Sequence, residues 1–380
     1  MSVDKHLEAV TEDPLFATGK ACAGTPVQWL RSLRAGLIAP RAEDLEHLAE
    51  AEPLSQKELA AIKEQFDVRI PQSFLERIKK SQALRRQVVP RREELLFYPE
   101  ELEDPIGDEV HTSVRGLTHR YQNRALLKLT HHCGVYCRFC FRRYKVSKPG
   151  ETLSAADLEK VFAYIGSHKE IWEVILSGGD PLILTDKQLH NALSGLRSID
   201  HVRVIRFHTR IPSVLPERIT PELVQLLGAP GPKIWIVAHI NSADELVPET
   251  TRAIETLTKA GIPLLSQSVL LKGVNDSFEQ LQSLFTKLVE AGVKPYYLHN
   301  LDLAQGTNHF RVELSCALEL YAALRSKLSG VCVPQFILDI PGGKGKISVQ
   351  KENLRDLGNG TWSALSPLSH EWVQFSYPNS

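Results

Sequence analysis

The sequence predicts an α/β fold: a partial (β/α)6 barrel of TIM-like type behind an N-terminal, mainly helical region. Three observations predict it. From about residue 121, short apolar β-branched runs alternate with amphipathic helical segments, the pattern of parallel strands joined by crossover helices. Gly261, Gly292 and Gly330 each follow a periodic segment, as residues just past a helix end do. The chemically unusual residues fall at the ends of predicted strands, where such barrels gather reacting groups.

The chain has 380 residues, enough for one large domain and a smaller appendage. Lys+Arg and Asp+Glu are both 45, so the formal net charge is zero and no basic bias recommends nucleic acid. The start, Met1 to Glu8, lacks the apolar core of a signal peptide, and no apolar run reaches the ~18 residues of a membrane span. Six cysteines, three of them clustered, do not form the pattern of a disulfide framework. These features set the expectation of a cytoplasmic protein with no membrane partner.

Residues 1–120 read as helical and irregular. Residues 43–50 and 55–62 have helical spacing, and Ser55 with Glu58 forms a capping-box pattern. Residues 85–92 read as an exposed connection, and the acidic stretch 98–114, with Pro99 and Pro105, as loop. Residues 121–346 form the barrel. Strands are predicted at 125–130, 172–177, 202–208, 233–240, 263–271, 294–301 and 333–339. Helices are predicted at 154–166, 186–198, 220–227, 244–260, 277–291 and 313–328. That makes six strand–helix units and a last strand. Residues 347–380 read as a C-terminal tail, with Trp362, Trp372 and Phe375 as anchors.

The densest chemistry follows the first strand. Cys133, Cys137 and Cys140 lie inside eight residues with spacing C-x3-C-x2-C. A closed zinc site or an ordinary ferredoxin cluster takes four protein ligands. Spacing alone therefore leaves two readings. Three thiolates on a cubane of four irons would leave one iron open to a small molecule. Alternatively, Cys22, Cys316, Cys332, His131 or His132 would complete a zinc site. Arg138, Arg142 and Arg143 surround the loop and suit its negative charge or a carboxylate ligand.

Further on, Gly178-Gly179-Asp180-Pro181 follows the next strand, where glycine permits close backbone approach and Asp180 can accept from an ammonium or ribose group. His208 and Arg210, His239, Asp302 and Asp339 stand at later strand ends. Pro341-Gly342-Gly343-Lys344-Gly345-Lys346-Ile347 is not a phosphate-binding P-loop, because Ile347 stands where Ser or Thr is needed. Its lysines suit either a Schiff base or a solvated turn.

The three-cysteine spacing resembles the radical S-adenosylmethionine enzymes. Together with the segments at 117–124, 140–143, 176–182, 267–271, 295–297 and 302–303, and with 339–343, it resembles the lysine 2,3-aminomutase family from about Arg85 to Lys346. The resemblance implies a 4Fe–4S cluster on Cys133, Cys137 and Cys140, with S-adenosylmethionine on its open iron near Gly178, Gly179, Asp180 and His239. It implies pyridoxal 5'-phosphate in Schiff-base linkage to Lys346 rather than Lys344, bordered by Arg120, Arg124 and Gln267. Arg142 matches the residue for the substrate's α-carboxylate, and Asp302 and Asp339 match those for its ε-ammonium. The implied reaction converts L-lysine to β-lysine, with an electron donor such as a flavodoxin or ferredoxin.

Two departures matter. Longer relatives carry a zinc-binding cysteine cluster near the C-terminus, whereas no cysteine follows Cys332 here, so any homo-oligomer is expected to lack a shared zinc. The short form resembles the branch serving elongation factor P, yet the segment 339–346 follows the free-lysine mutases. Alternatives are a sister aminomutase acting on glutamate or arginine, and a non-enzymatic iron–sulfur protein.

Overall fold

The computed structural model describes residues 28–48, 53–146, 148, 152–350 and 352–378. Cys22, the first eight residues and positions 49–50 of the helix expected at 43–50 lie outside them. Within the described part that helix is Ala42–Leu45, continued by a 3-10 turn at Glu46–Leu48. Helices α1 (Gln28–Ala35), α2 (Gln56–Gln65), α3 (Gln72–Ile78) and α4 (Gln82–Arg86), a 3-10 turn at Arg92–Leu95 and a short antiparallel pairing of Leu37–Ile38 with Arg69–Ile70 make up the rest of the N-terminal region. The Ser55 hydroxyl accepts from the Glu58 amide at 3.2 Å, and the Glu58 carboxylate accepts from the Ser55 amide at 2.8 Å, closing the capping box at α2.

The central sheet is built from β1 (Thr112–Val114), β2 (Leu117–Tyr121), β3 (Arg124–Thr130), β4 (Glu173–Gly178), β5 (Val204–Thr209), β6 (Lys233–His239), β7 (Leu264–Val269), β8 (Lys294–His299), β9 (Gln335–Asp339) and β10 (Lys346–Ser348). Its ten strands lie in chain order. From β3 to β9 every neighbouring pair is parallel, and β1–β2, β2–β3 and β9–β10 are antiparallel. Strict sequential order with parallel pairing requires a crossover at each step. The crossovers are α5 (Ala155–Ser167), α6 (Asp186–Arg197), α7 (Pro221–Gly228), α8 (Pro248–Lys259), α9 (Phe278–Glu290) and α10 (Leu314–Lys327).

Local sequence explains these boundaries. Ser154, Thr185 and Ser277 each accept the amide three residues on, starting α5, α6 and α9. Gly261 and Gly292, at φ 72° and 81°, take the left-handed position just past α8 and α9. Gly330 does not play that part, because α10 ends at Lys327 with Leu328 already extended. In α9, Leu281, Leu284, Phe285 and Leu288 form one buried face at i, i+3, i+4, i+7 spacing. Burying side chains of this size contributes about 1.5–3 kcal/mol each. Strand β4 is buried from Val174 to Gly178, as a strand covered on both faces must be.

Three features depart from the sequence reading. Residues 85–92, expected as an exposed connection, begin in α4, and Gln87, Val88, Val89 and Pro90 are buried. The antiparallel hairpin of β1 and β2 precedes the barrel where loop and helix were expected. The C-terminal stretch is a three-stranded antiparallel sheet, β11 (Leu354–Gly358), β12 (Thr361–Leu365) and β13 (Trp372–Ser376), rather than an irregular tail. Its short strands alternate around turns at Asn359-Gly360 and His370, a weak signal. Trp362 and Tyr377 are its buried anchors, whereas Trp372 and Phe375 are only partly covered. Tyr377 donates to the Leu301 carbonyl at 3.2 Å, and Ser366 to the Lys344 carbonyl at 2.7 Å, so the sheet backs the glycine turn.

The edge strands β1 and β10 do not pair with each other, and the two ends of the sheet are bridged by single hydrogen bonds. The Lys346 amide donates to the Tyr121 hydroxyl at 2.9 Å, and the Gly342 amide to the Pro105 carbonyl at 3.0 Å. No helix among the described residues is long and apolar enough to cross a membrane.

Candidate active site

The carboxyl ends of the parallel strands open into a cavity of about 700 Å³, within the range of small-molecule sites. The fourteen residues that the resemblance assigns to the site all line it: Arg120, Arg124, Cys133, Cys137, Cys140, Arg142, Gly178, Gly179, Asp180, His239, Gln267, Asp302, Asp339 and Lys346. Lys344 is exposed and lies outside it.

The cysteine loop leaves β3 and is held by the N-terminal region. The Tyr136 amide donates to the Arg69 carbonyl at 3.0 Å and the Arg138 amide to the Gln87 carbonyl at 2.8 Å. Arg138 and Arg143 both grip Glu94 at 2.6 Å, all three residues being buried. Burial alone would push the Glu94 carboxyl up, yet the two guanidinium charges outweigh it and hold the group at about 2. Two of the three arginines expected to serve the cysteines therefore build the loop's foundation. Arg142 alone of these three faces the cavity. Its Nε donates to Asp108 at 2.6 Å and its Nη1 to Ser177 at 3.4 Å.

The three thiols stand close enough that each charge disfavours the next. Burial first, then neighbouring carboxylate or thiolate charge, pushes Cys133 up, and burial with Cys137 pushes Cys140 to about 11. Such a set needs a bound cation to be thiolate. Among the described residues, no three His, Cys, Asp or Glu side chains gather around a single metal-ion position. A cubane instead offers each thiolate its own iron, and the three-thiol set fits it.

The paired glycines earn their place by close approach. A Cβ on Gly179 would lie 2.2 Å from the His132 carbonyl, and one on Gly178, at φ 105°, 2.6 Å from the Thr130 carbonyl. Asp180 is used differently from expectation. Its carboxylate accepts from Thr209 Oγ1 at 2.7 Å, the Arg210 amide at 2.7 Å and the Leu182 amide at 3.0 Å. It is a clasp between β4 and β5 rather than a free acceptor.

At the far side, Lys346 Nζ lies 3.2 Å from Asp339 Oδ2 and 5.5 Å from the centre of the Tyr297 ring, which stacks on Tyr296. Arg120 reaches Asp339 Oδ1 at 3.5 Å, and Arg124 lies over Tyr121, 4.0 Å from its ring centre. Burial, with the Asp339 charge behind it, pushes the Asp302 carboxyl up to about 8. His239 bonds Asn241 at 3.1 Å, and burial pushes its imidazole down to about 4. Gln267 sits beside His208. Sequence reasoning missed Glu94 and Asp108, which lie in segments without periodicity, and assigned no role to Tyr121 and Tyr297 within the matching segments 117–124 and 295–297.

Residues 127–285 match the model of the radical S-adenosylmethionine superfamily. The L-lysine 2,3-aminomutase of Acetoanaerobium sticklandii is 39% identical over 318 residues, covering 82% of this chain and 77% of that one. Its counterpart in Buchnera aphidicola is 39% identical over 289 residues, covering 75% and 84%. The chain belongs to the lysine 2,3-aminomutase family. The Clostridium subterminale L-lysine 2,3-aminomutase is 42% identical over 266 residues, and the match spans 64% of its length, so the chain matches less than two thirds of some family members. Membership in the family implies a 4Fe–4S cluster and S-adenosylmethionine, and the three-thiol donor set agrees with both.

Proposed function

We propose that this chain is a radical aminomutase that moves the amino group of L-lysine from C2 to C3, giving β-lysine. The cluster and S-adenosylmethionine supply one-electron chemistry able to take hydrogen from an unactivated carbon, and pyridoxal phosphate supplies the π-system that eases nitrogen migration. Cys133, Cys137 and Cys140 would hold the cluster, with S-adenosylmethionine beside Gly178, Gly179 and His239. Lys346 would hold pyridoxal phosphate, with Arg120, Arg124 and Gln267 around it. A low-potential donor of the flavodoxin or ferredoxin type completes the electron supply.

The protein's own task is position and charge. Arg142, fixed by Asp108, answers the substrate's α-carboxylate. Asp302 and Asp339 answer the distal ammonium, which would otherwise be a buried, uncompensated cation. A glutamate substrate would require a cation where these carboxylates stand. One cavity bringing three thiols, Lys346 and two buried carboxylates together carries this assignment.

Anaerobic protein reconstituted with iron, sulfide, pyridoxal phosphate and S-adenosylmethionine, then reduced, should form β-lysine from lysine. Turnover of glutamate or arginine in place of lysine would overturn the substrate, and a protein that binds iron but no pyridoxal phosphate would overturn the reaction.

A further inference from the structure

Arg210 follows β5 and is 6% exposed. Its backbone is pinned by the Asp180 clasp, and its side chain crosses under the cysteine loop. Nη1 donates to Cys137 Sγ at 2.7 Å. Nη2 donates to Gln87 Oε1 at 2.5 Å and faces Glu245 Oε2 at 3.4 Å. Glu245 is fully buried and fixed in turn. It accepts from the Asn241 amide at 2.8 Å, the Ser242 amide at 3.2 Å and Ser213 Oγ at 2.9 Å. Gln87 also accepts from Asn241 Nδ2 at 3.0 Å, and its backbone carbonyl holds Arg138 in the cysteine loop. A buried cation and a buried anion thus stand in series behind one cysteine sulfur.

On the reading that the three cysteines hold a 4Fe–4S cluster, we infer that Arg210 and Glu245 set its reduction potential, in opposite directions, through the hydrogen bond to Cys137. Reduction adds one electron to a group that is already negative. A donated hydrogen bond and a fixed positive charge favour that more negative form, and the potential of such clusters follows hydrogen bonding to their sulfurs. The Glu245 carboxylate opposes the guanidinium, so it lowers the potential that Arg210 raises. Both charges are buried, so solvent screens them little. Arg210 would be a tuning residue, acting through Cys137 rather than on substrate.

The test is a potentiometric titration of anaerobically reconstituted protein without S-adenosylmethionine, using titanium(III) citrate as reductant. Electron paramagnetic resonance reports the reduced cluster, and iron content is counted in each sample. Arg210→Gln should lower the reduced-to-oxidised ratio about tenfold at fixed potential, a downward shift of ~59 mV for one electron. Glu245→Gln should move the potential upward. Arg210→Lys, which keeps the charge and loses the fork, should fall between Arg210→Gln and wild type. If Arg210→Gln fails to load iron, Glu245→Gln carries the decision by its sign. Unchanged potentials at full iron content, shifts of the same sign for both residues, or a shift seen only after S-adenosylmethionine is added would overturn the inference. A wild-type protein that takes up no cluster would overturn the cluster assignment beneath it, a separate result.

Discussion

Asp339 and Lys346 are register partners across the last antiparallel pair of the sheet, with Lys346 Nζ 3.2 Å from Asp339 Oδ2. The turn between them, residues 340–345, places a carboxylate and an amine on one side of the cavity. While Lys346 carries a free ammonium, it occupies Asp339. On the proposed function, Lys346 would hold pyridoxal phosphate, which would take this amine out of its ion pair with Asp339. Lys346→Ala should therefore lose the near-ultraviolet and visible absorbance of bound pyridoxal phosphate, and Lys344→Ala, on the exposed side of the same turn, should keep it. Borohydride reduction and peptide mapping identify the labelled residue. A label on Lys344 would contradict the assignment.

Gly107 and Gly343 pack backbone against backbone: a Cβ on Gly107, at φ 66°, would lie 2.5 Å from the Gly343 Cα. The same loop carries Asp108, which fixes Arg142. Gly107→Ala should cost about 1–3 kcal/mol through strain and shift the turn bearing Lys346. The expected result is a lower melting temperature together with weaker pyridoxal phosphate retention. Gly228→Ala, at the end of α7 where a Cβ meets nothing within 4 Å, is the control and should lower neither. Equal behaviour of the two variants would remove the loop from the account.

Asp302 and Asp339 make a charge prediction. Breaking one side of a buried ion pair costs about 3–5 kcal/mol, so Asp302→Asn and Asp339→Asn should each lower kcat/KM for lysine at least about a hundredfold. Asp302 also makes a pH prediction. Its carboxyl is pushed from about 4 in the unfolded chain to about 8 in the fold. Between these values the folded chain holds the extra proton, so this group's contribution to stability is complete at low pH and is lost as pH rises toward and through 8. Ligand-free wild type should lose melting temperature over that window more steeply than Asp302→Asn. Parallel curves would show that Asp302 is ionised throughout.

Replacing any one of Cys133, Cys137 and Cys140 by Ala should abolish reductive cleavage of S-adenosylmethionine, read as 5'-deoxyadenosine formed by anaerobically reconstituted protein. Cleavage at the wild-type rate in any of the three variants would exclude that cysteine as a ligand.

The barrel was legible because each unit declares itself locally. Leu281, Leu284, Phe285 and Leu288 show the helical period, Ser277 and Gly292 punctuate it, and the aromatic pair Tyr296-Tyr297 with Leu298 marks the strand beyond. The residues facing the cavity were legible because Cys, Gly and Asp at strand ends are chemically conspicuous. What stayed hidden depends on distance in sequence. Glu94 meets Arg138 from 44 positions away, and Gln87 meets Arg210 from 123. Neither has a periodic or motif signature, since a buried polar contact needs only that the fold bring two groups together. Asp180 was read as a free acceptor because a sequence does not show that Thr209 and the Arg210 amide already occupy it. The C-terminal sheet was read as tail because its outer strands are largely exposed and carry little apolar alternation.

Lysine deuterated at C3, supplied anaerobically with S-adenosylmethionine, pyridoxal phosphate and a reductant, tests the central claim most directly. The account predicts β-lysine as product, with deuterium appearing in 5'-deoxyadenosine as well as at C2 of β-lysine. Formation of 5'-deoxyadenosine free of deuterium, with the lysine recovered unchanged, would contradict it.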